Sequence, residues 1–255
     1  MKVISVSIQK GGSGKTTTTV NTAAALRELG HRVLLVDLDP QANLTQALGY
    51  VDEPEENIYE LINKQAAGDS YPINNYIFDA EDLHLIPASL DLANSELELV
   101  SVYGREKILS DILKKLKNSY DFVFIDCPPS IGMLTVNALN ASDYVLIPLQ
   151  AEFLPLKGVM SFMKTFKRIK SQLNRNLKLL GIVLTKYDKR KTMNREVYEQ
   201  LMEEFEQEVF ETRIRSNIAL AKAQAAGVDI YNYAPSSNGA KDYLALAKEV
   251  EYRLR

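Results

Sequence analysis

The chain has 255 residues, of which 46% are hydrophobic and 25% are charged, so it can bury a sizeable core and is neither disordered nor collagen-like. Its 30 Lys and Arg against 33 Asp and Glu give a net charge of −3, which by itself neither favours nor excludes a polyanionic partner. The one cysteine, Cys127, can form no intramolecular disulfide, and no apolar run approaches the roughly 18 residues of a membrane span. We therefore expect a soluble, cytoplasmic protein.

Apolar, β-branched runs alternate with helical patterns along the chain. The runs occupy residues 3–8, 32–36, 122–125, 144–147 and 179–184. A first helix is predicted over residues 16–29, with Gly30 ending it. Nearly continuous apolar strands separated by helices are typical of a parallel sheet covered on both faces. The sequence thus predicts an α/β fold with a mostly parallel twisted sheet, in a single domain over residues 1–255, from which the acidic segment 51–80 departs.

A glycine-rich loop joins the first predicted strand to the first predicted helix and reads Gln-Lys-Gly-Gly-Ser-Gly-Lys-Thr-Thr over residues 9–17. Such a loop lets backbone N–H groups converge on a phosphate at a helix N-terminus, where the helix dipole also favours negative charge. Lys15 adds a cation beside the β- and γ-phosphate oxygens, and the hydroxyl of Thr16 is placed to coordinate Mg²⁺. The alternative to a phosphate-binding loop is a glycine-rich strand-to-helix turn that binds no ligand. The residues predicted to bind the nucleotide phosphates are Lys10, Gly11, Gly12, Ser13, Gly14, Lys15, Thr16 and Thr17.

The loop departs from the ordinary phosphate-binding pattern at its start. That pattern requires glycine at position 9, where this chain has Gln9, and a second lysine, Lys10, follows. A side chain at this point that turns away from its own phosphates can reach those of a neighbouring subunit. A cation held there would stabilise charge on the transferring phosphoryl group, as an arginine finger supplied in trans does. The alternative is an exposed lysine that only adds positive field.

Three aspartates follow predicted strands. Asp37 and Asp39 stand at positions i and i+2 at the end of the second strand, so we expect both to emerge near the γ-phosphate. Asp39 is the candidate to orient the attacking water, and Asp37 to support Mg²⁺ or the loop. Asp126 ends the next predicted strand and fits the acceptor that holds Mg²⁺ through water, although a strand-terminal Asp is often only a turn or capping residue. Cys127 beside it is expected to be a small core residue rather than a nucleophile.

Together these motifs resemble the ParA/MinD family of deviant Walker A ATPases, and within it the ParA/Soj DNA-partitioning proteins. The resemblance runs from residue 2 to about residue 250 and rests on the following segments: 10–17, 36–43, 121–129, 148–150, 184–188 and 233–243. It implies a P-loop NTPase fold that binds ATP and Mg²⁺ and forms an ATP-dependent sandwich homodimer. Lys10 would reach across to the partner's nucleotide, Lys15 and Thr16 would bind phosphate and Mg²⁺, Asp39 would be the hydrolytic aspartate and Asp126 the Walker B residue.

The resemblance also implies a function and an adenine contact. It implies slow ATP hydrolysis that a ParB-like centromere-binding protein stimulates. The function that it implies is the partitioning of a plasmid or chromosome. The family's adenine-binding segment commonly reads Pro-Arg-Asn, whereas residues 215–217 read Arg-Ser-Asn, so only Asn217 carries over. Because the phosphate loop starts at residue 10, we expect the short, Soj-like form without an N-terminal DNA-reading extension.

Basic residues are concentrated in residues 157–195, which carry twelve Lys or Arg against Asp188 alone. This segment has a charge of +11 in a chain of −3, and residues 196–211 then carry seven Glu and no basic residue. Such segregation favours a cationic face for a polyanion, against the alternative that lysines coat ordinary helix faces. In the absence of a recognition-helix or zinc-finger pattern, we expect salt-dependent binding of nonspecific DNA and association with the nucleoid. Arg190 is the DNA contact that the resemblance implies, and charge and proximity add Lys189, Lys191 and Arg215.

Other relatives of this fold fit the sequence less well. A membrane-surface ATPase resembling MinD should end in a basic amphipathic helix, whereas residues 241–255 carry both signs of charge, so we expect no membrane partner. An iron–sulfur relative of the nitrogenase iron-protein kind needs two cysteines per subunit. A small-molecule ligase of the dethiobiotin synthetase kind does not need the basic segment. An organelle-positioning ATPase uses the same machinery, and we keep it as an alternative function.

Overall fold

The computed structural model describes residues 1–116, 119–151 and 155–255. The strands are β1 Lys2–Val6, β2 Val33–Asp37, β3 Phe78–Ala80, β4 Leu83–Ile86, β5 Phe122–Asp126, β6 Tyr144–Gln150, β7 Lys178–Tyr187 and β8 Val209–Arg215. The α-helices are α1 Lys15–Glu28, α2 Asn43–Ala47, α3 Ile58–Ala67, α4 Ser95–Glu98, α5 Ile108–Lys114, α6 Met133–Ala141, α7 Pro155–Gln172, α8 Thr192–Phe205, α9 Ile218–Ala225, α10 Ile230–Tyr233 and α11 Asn238–Arg253. Short 3₁₀ turns span Ile73–Tyr76, Leu90–Asn94, Leu99–Ser101 and Arg105–Lys107.

The strands form one eight-stranded sheet in the order β3-β4-β2-β5-β1-β6-β7-β8. Every neighbouring pair is parallel except β3 and β4, which confirms the predicted mostly parallel sheet. β1 lies between β5 and β6, so the glycine-rich loop leaves the middle of the sheet. In register, Asp126 of β5 lies opposite Val6 of β1 on one side and Asp37 of β2 on the other. The carboxyl edge of the sheet therefore brings the loop and two of the predicted aspartates together.

Both faces of the sheet are covered, as the sequence predicts. On β2, Val33 and Leu35 belong to the same buried cluster as side chains of α1 and α11. Leu34 and Val36, which point to the other side, belong to the cluster that includes α3 and α5. Because both faces of this strand are buried, its sequence reads as a continuous apolar run.

Helix α1 lies against the sheet, with ten of its fourteen residues buried. Its small side chains allow close packing, and α11 is its main helical neighbour. The helix spans Lys15–Glu28, one residue earlier at each end than predicted, and Gly30 adopts the left-handed conformation with φ 89° just beyond it. Gly30 therefore ends the helix as expected.

The prediction that residues 51–80 leave the core is wrong for helix α3. Ile58, Leu61 and Ile62 are fully buried against the sheet and α5. Asn57 caps this helix by accepting hydrogen bonds from two backbone N–H groups of its first turn. Residues 52–56, four of them acidic, precede the cap and are mainly exposed, and so are most of residues 68–75, so the excursion is limited to the two segments that flank the helix.

Among the described helices, none is both long and apolar enough to cross a membrane.

Candidate active site

The glycine-rich loop adopts a conformation that only glycine takes easily. Gly12 and Gly14 have φ values of 72° and 89°, in the left-handed region. Gly14 immediately precedes α1, no described side chain caps this helix, and its first turn carries no acidic residue. The helix N-terminus is therefore free to attract an anion.

Two side chains of the loop fit a bound phosphate group. The hydroxyl of Ser13 is buried and, among the described residues, has no hydrogen-bond partner. Lys15 is 8% exposed, and its ammonium donates to the backbone oxygen of Lys10 at 3.2 Å. A buried hydroxyl without a partner calls for an explanation, and phosphate oxygens would supply its missing bond. These residues therefore fit the nucleotide phosphates that the sequence predicts.

The loop is also held from neighbouring elements. Thr185 of β7 donates from its hydroxyl to the backbone oxygen of Ser13 at 2.9 Å, and the hydroxyl of Ser161 on α7 donates to the side-chain oxygen of Gln9 at 3.1 Å. Thr17 donates to Gln224 of α9 at 3.4 Å. The segment 184–188 is part of the family resemblance, yet sequence reasoning assigned no role to Thr185.

Asp126 lies directly beneath the start of α1. Its carboxylate accepts a hydrogen bond from the Thr16 hydroxyl at 2.7 Å and one from the Thr19 hydroxyl at 3.2 Å. Burial, with the added repulsion of Asp37, raises the pKa of Asp126 to about 8. A carboxylate and a hydroxyl so placed are ligands that suit Mg²⁺, and a bound cation would offset the cost of ionising this buried acid.

No group of three or more His, Cys, Asp or Glu with metal-binding geometry occurs in residues 1–116, 119–151 or 155–255. Mg²⁺ usually takes only one or two protein carboxylates and completes its shell with water and substrate phosphates. The residues around Asp126 therefore fit such an ion without a larger cluster.

Asp37 is completely buried and fully engaged by the segment that follows β2. It accepts hydrogen bonds from the backbone N–H and the hydroxyl of Thr45, both at 2.8 Å, and from the backbone N–H of Asp39 at 3.1 Å. Burial raises its pKa to about 6. These hydrogen bonds hold the segment after β2 and do not reach the glycine-rich loop, so the two roles expected for Asp37 stay predictions.

Asp39 lies beyond the end of β2, so the alternation of strand side chains does not extend to it. Its carboxylate accepts a hydrogen bond from the backbone N–H of Gln41 at 3.0 Å. The residue is 7% exposed and stands between the anchored Asp37 and helix α2. The expectation that both carboxylates emerge near the γ-phosphate stays a prediction, with Asp37 the more completely buried of the two.

Cys127 is completely buried, and burial raises the pKa of its thiol to about 12. The thiol therefore stays protonated near neutral pH, which fits a core residue rather than a nucleophile.

Asn217 stands at the start of α9, where its side-chain oxygen accepts a hydrogen bond from the backbone N–H of Ala219 at 2.8 Å. This capping uses the oxygen of the amide and leaves the NH₂ group as a donor. Next to it, the guanidinium of Arg215 pairs with Asp242 of α11 at 2.6 Å. The residue that replaces the family's proline thus ties the end of β8 to helix α11.

The four predicted DNA contacts, Lys189, Arg190, Lys191 and Arg215, line one cleft of about 720 Å³ at the β8 edge. Sequence reasoning missed a further cation there, Arg213, because no motif marks it. All twelve basic residues of segment 157–195 are exposed. The whole basic charge of this segment is therefore on the molecular surface.

The comparisons with known proteins agree with this arrangement. A family model described as an AAA domain matches residues 1–179. The sporulation initiation inhibitor protein Soj of Bacillus subtilis is 42% identical over 98% of both chains. The chromosome-partitioning ATPase Soj of Thermus thermophilus is 41% identical over 99% of this chain and 96% of its own.

Solved structures share the fold over the whole chain. A structure described as cobyrinic acid a,c-diamide synthase of Mycobacterium smegmatis, with a bound ATP analog and magnesium, has 37% identity and a TM-score of 0.87, covering 100% of this chain and 96% of that one. The cell division ATPase MinD of Pyrococcus furiosus has 28% identity and a TM-score of 0.78, covering 98% of both chains.

Proposed function

Because the chain belongs to the ParA/Soj family of partitioning ATPases, we propose that it is an ATP-dependent switch that holds nonspecific DNA and positions a plasmid or chromosome. The observation that carries the proposal is the hydrogen bond from Thr16 to the buried Asp126, next to a glycine loop whose helix N-terminus has no cap. Residues 1–255 act as one ATPase domain in this proposal.

ATP and Mg²⁺ are the proposed ligands. The backbone N–H groups of the loop, the hydroxyl of Ser13 and the ammonium of Lys15 bind the phosphates, and Thr17 lies in the first turn beside them. Thr16 and Asp126 hold the metal site, and Asp37 supports it from the neighbouring strand, where it lies opposite Asp126. When bound, Mg²⁺ neutralises charge on the β- and γ-phosphate oxygens. The NH₂ group of Asn217 is the proposed donor to the adenine base.

Asp39 orients the attacking water in this mechanism. One of its oxygens accepts the Gln41 N–H, and the other remains available to accept a proton from water. Asp37 anchors the backbone on both sides of Asp39, which limits the movement of this carboxylate. Such positioning is the main contribution that a protein side chain makes to phosphoryl transfer.

Lys10 acts across a dimer interface. Its backbone oxygen is held by the ammonium of Lys15, while its own side chain is only partly buried. In a sandwich of two chains that face each other across their nucleotides, the two Lys10 ammonium groups each stabilise charge on the partner's triphosphate. Nucleotide binding and pairing then become one event, and the paired basic faces bind DNA more tightly than a single one does.

Hydrolysis opens the pair and releases DNA. We propose that the intrinsic rate is slow and that a ParB-like centromere-binding protein stimulates it, as the family membership supports. This arrangement operates in the cytoplasm on the nucleoid surface. Cargoes other than DNA remain outcomes of the test below.

DNA binding by the purified chain with ATP, with ADP or without nucleotide, across a salt series, tests the proposal. We expect ATP-dependent binding that weakens steeply with salt. Lys15→Ala should lose nucleotide binding, whereas Asp39→Ala should retain ATP and stay on DNA. Rapid release of Asp39→Ala from DNA while ATP stays bound would contradict the switch.

A second candidate function is a small-molecule ligase, which the description of the Mycobacterium smegmatis structure favours. Such an enzyme turns over a metabolite without nucleic acid and has no need of the +11 segment. ATP-dependent DNA binding would argue against it, and metabolite turnover with no affinity for DNA would support it.

A further inference from the structure

We propose that Arg213 is a phosphate-binding residue for a nucleic-acid backbone, at the bottom of the basic cleft beside β8. The inference rests on the proposed DNA-binding function and adds to it a residue that neither the motifs nor the family resemblance identifies. Its basis is the unusual environment of this guanidinium.

The guanidinium of Arg213 lies over two aromatic rings. Its central carbon lies 3.8 Å from the ring centre of Tyr198 on α8 and 5.1 Å from that of Tyr187 at the end of β7. Stacking on the face of the guanidinium uses none of its N–H donors, since these point outward in the plane of the group. The side chain is therefore positioned while its donors stay available.

Within the described residues, Arg213 has no carboxylate partner within 4 Å, and its Nε is buried without a hydrogen bond. The two neighbouring arginines differ: Arg190 pairs with Asp188 at 2.9 Å, and Arg215 pairs with Asp242 at 2.6 Å. A partly buried charge without a counter-ion is costly. Because Nε itself is closed to solvent, an anion in the cleft would be bound by the terminal N–H groups of the guanidinium and would offset its charge.

The charge of the cleft indicates which anion it takes. Five basic residues line it against the acidic Asp188 and Glu211, which leaves an excess of three positive charges. Three of its residues, Lys189, Arg190 and Lys191, belong to segment 157–195, whose other nine basic residues are also exposed. Because this segment carries many more cations than one small anion could engage, we assign a phosphodiester backbone, a polymer of phosphates, as the occupant.

The test compares the full-length chain, loaded with ATP and Mg²⁺, with its Arg213→Gln and Arg213→Lys variants on duplex DNA of random sequence across a salt series. We expect Arg213→Gln to reduce the slope of log affinity against log salt by about one unit for each Arg213 that contacts the duplex. Arg213→Lys keeps the charge and should restore the slope. Arg32→Gln, at the amino end of β2 and therefore at the other end of the sheet, is the matched control and should keep the wild-type slope.

The outcomes separate the inference from the proposed function. If the wild type binds DNA with ATP and Arg213→Gln has an unchanged slope, the assignment of Arg213 is wrong while the proposed function stands. If the wild type binds no DNA with ATP, both fail. Should inorganic tripolyphosphate displace the duplex at equal phosphate concentration while ATP stays bound, the cleft is a site for free anions and the assignment of a nucleic-acid backbone is wrong. Thermal unfolding checks the fold, and if Arg213→Gln is less stable, all slopes are measured at a temperature at which every variant is folded.

Discussion

At the scale of single residues, Asp126 combines complete burial with a neighbouring carboxylate, Asp37, across the β2–β5 pair. Its pKa of about 8 lies far above the ordinary value of 3.8. The nucleotide-free protein therefore holds a proton that the unfolded chain releases at much lower pH.

This difference predicts how stability depends on pH. Since the folded state binds more protons than the unfolded state between the two pKa values, the free energy of unfolding should fall as the pH rises toward 8. Between pH 6 and pH 8 we expect a loss on the order of 2 kcal/mol from Asp126. Urea unfolding of the nucleotide-free protein at both pH values measures it.

Asp126→Asn is the control for this prediction, because an amide does not titrate. The variant should lose most of the pH dependence in that window. Equal pH dependence in the wild type and the variant would show that another group is responsible.

Residue-level chemistry was the part of the site most readily predicted from the sequence. The loop, Thr16 and Asp126 could be placed because a glycine-rich turn and a strand-terminal carboxylate each have a local pattern. The engagement of Asp37 by Thr45 could not be predicted, since it depends on how the chain folds back after β2. Arg213 was missed for the same reason, because its two aromatic neighbours come from β7 and α8.

At the scale of elements, β7 is tied directly to the phosphate loop through the hydrogen bond from Thr185 to Ser13. The same strand leads into the loop that carries Lys189, Arg190 and Lys191. The nucleotide site and the basic cleft therefore share one rigid element.

Replacement of Thr185 by Val removes the hydroxyl and keeps the shape of the side chain. Because the buried carbonyl of Ser13 then loses its partner, we expect the variant to be less stable by about 1 to 3 kcal/mol and to bind ATP more weakly. Calorimetric titration with ATP, beside thermal unfolding, measures both effects. The more conservative Thr185→Ser should recover much of the affinity, and wild-type ATP affinity in Thr185→Val would argue against this connection.

Helix α6 depends on a cap supplied from outside. Glu96 of α4 accepts hydrogen bonds from the first backbone N–H groups of α6, those of Met133 at 2.6 Å and Leu134 at 3.2 Å. An acidic group at a helix N-terminus also interacts favourably with the helix dipole. The contact fixes the segment that follows Asp126.

We expect Glu96→Ala to lower the free energy of unfolding by about 1 kcal/mol, the typical effect of losing a helix cap. Chemical unfolding measures the change. Glu98→Ala, on the same short helix, is the control: it removes a charge and an exposed hydrogen bond from the Tyr59 hydroxyl, but no helix cap. An equal effect of both substitutions would mean that charge, rather than capping, is responsible.

The sequence identified the elements that are continuous apolar runs and missed those that are not. β1, β2, β5, β6 and β7 lie in the interior of the sheet, where both faces are buried, and all five were predicted. β3 and β4 have three and four residues, and the edge strand β8 contains charged residues, so none has that pattern. Helix α3 was obscured by the acidic loop before it, although its apolar residues have helical spacing.

At the scale of the whole molecule, the proposed switch needs both the basic segment 157–195, which would bind DNA, and the nucleotide site, which would control pairing. The chain is acidic overall, yet its exposed basic residues are concentrated in segment 157–195. Two copies that pair across the loop would present two such surfaces to one duplex. Pairing is therefore the step on which the proposed switch depends.

The most direct test of that step is the solution mass of the Asp39→Ala chain with ATP and Mg²⁺, measured by sedimentation, with and without the further substitution Lys10→Ala. The account predicts twice the 28.6 kDa of one chain for Asp39→Ala, and the mass of a single chain once Lys10 is also replaced, while ATP stays bound. Lys248→Ala, an exposed lysine on α11, should leave the pair intact. A stable pair without Lys10, or a single chain in the presence of Lys10 and bound ATP, would contradict the account.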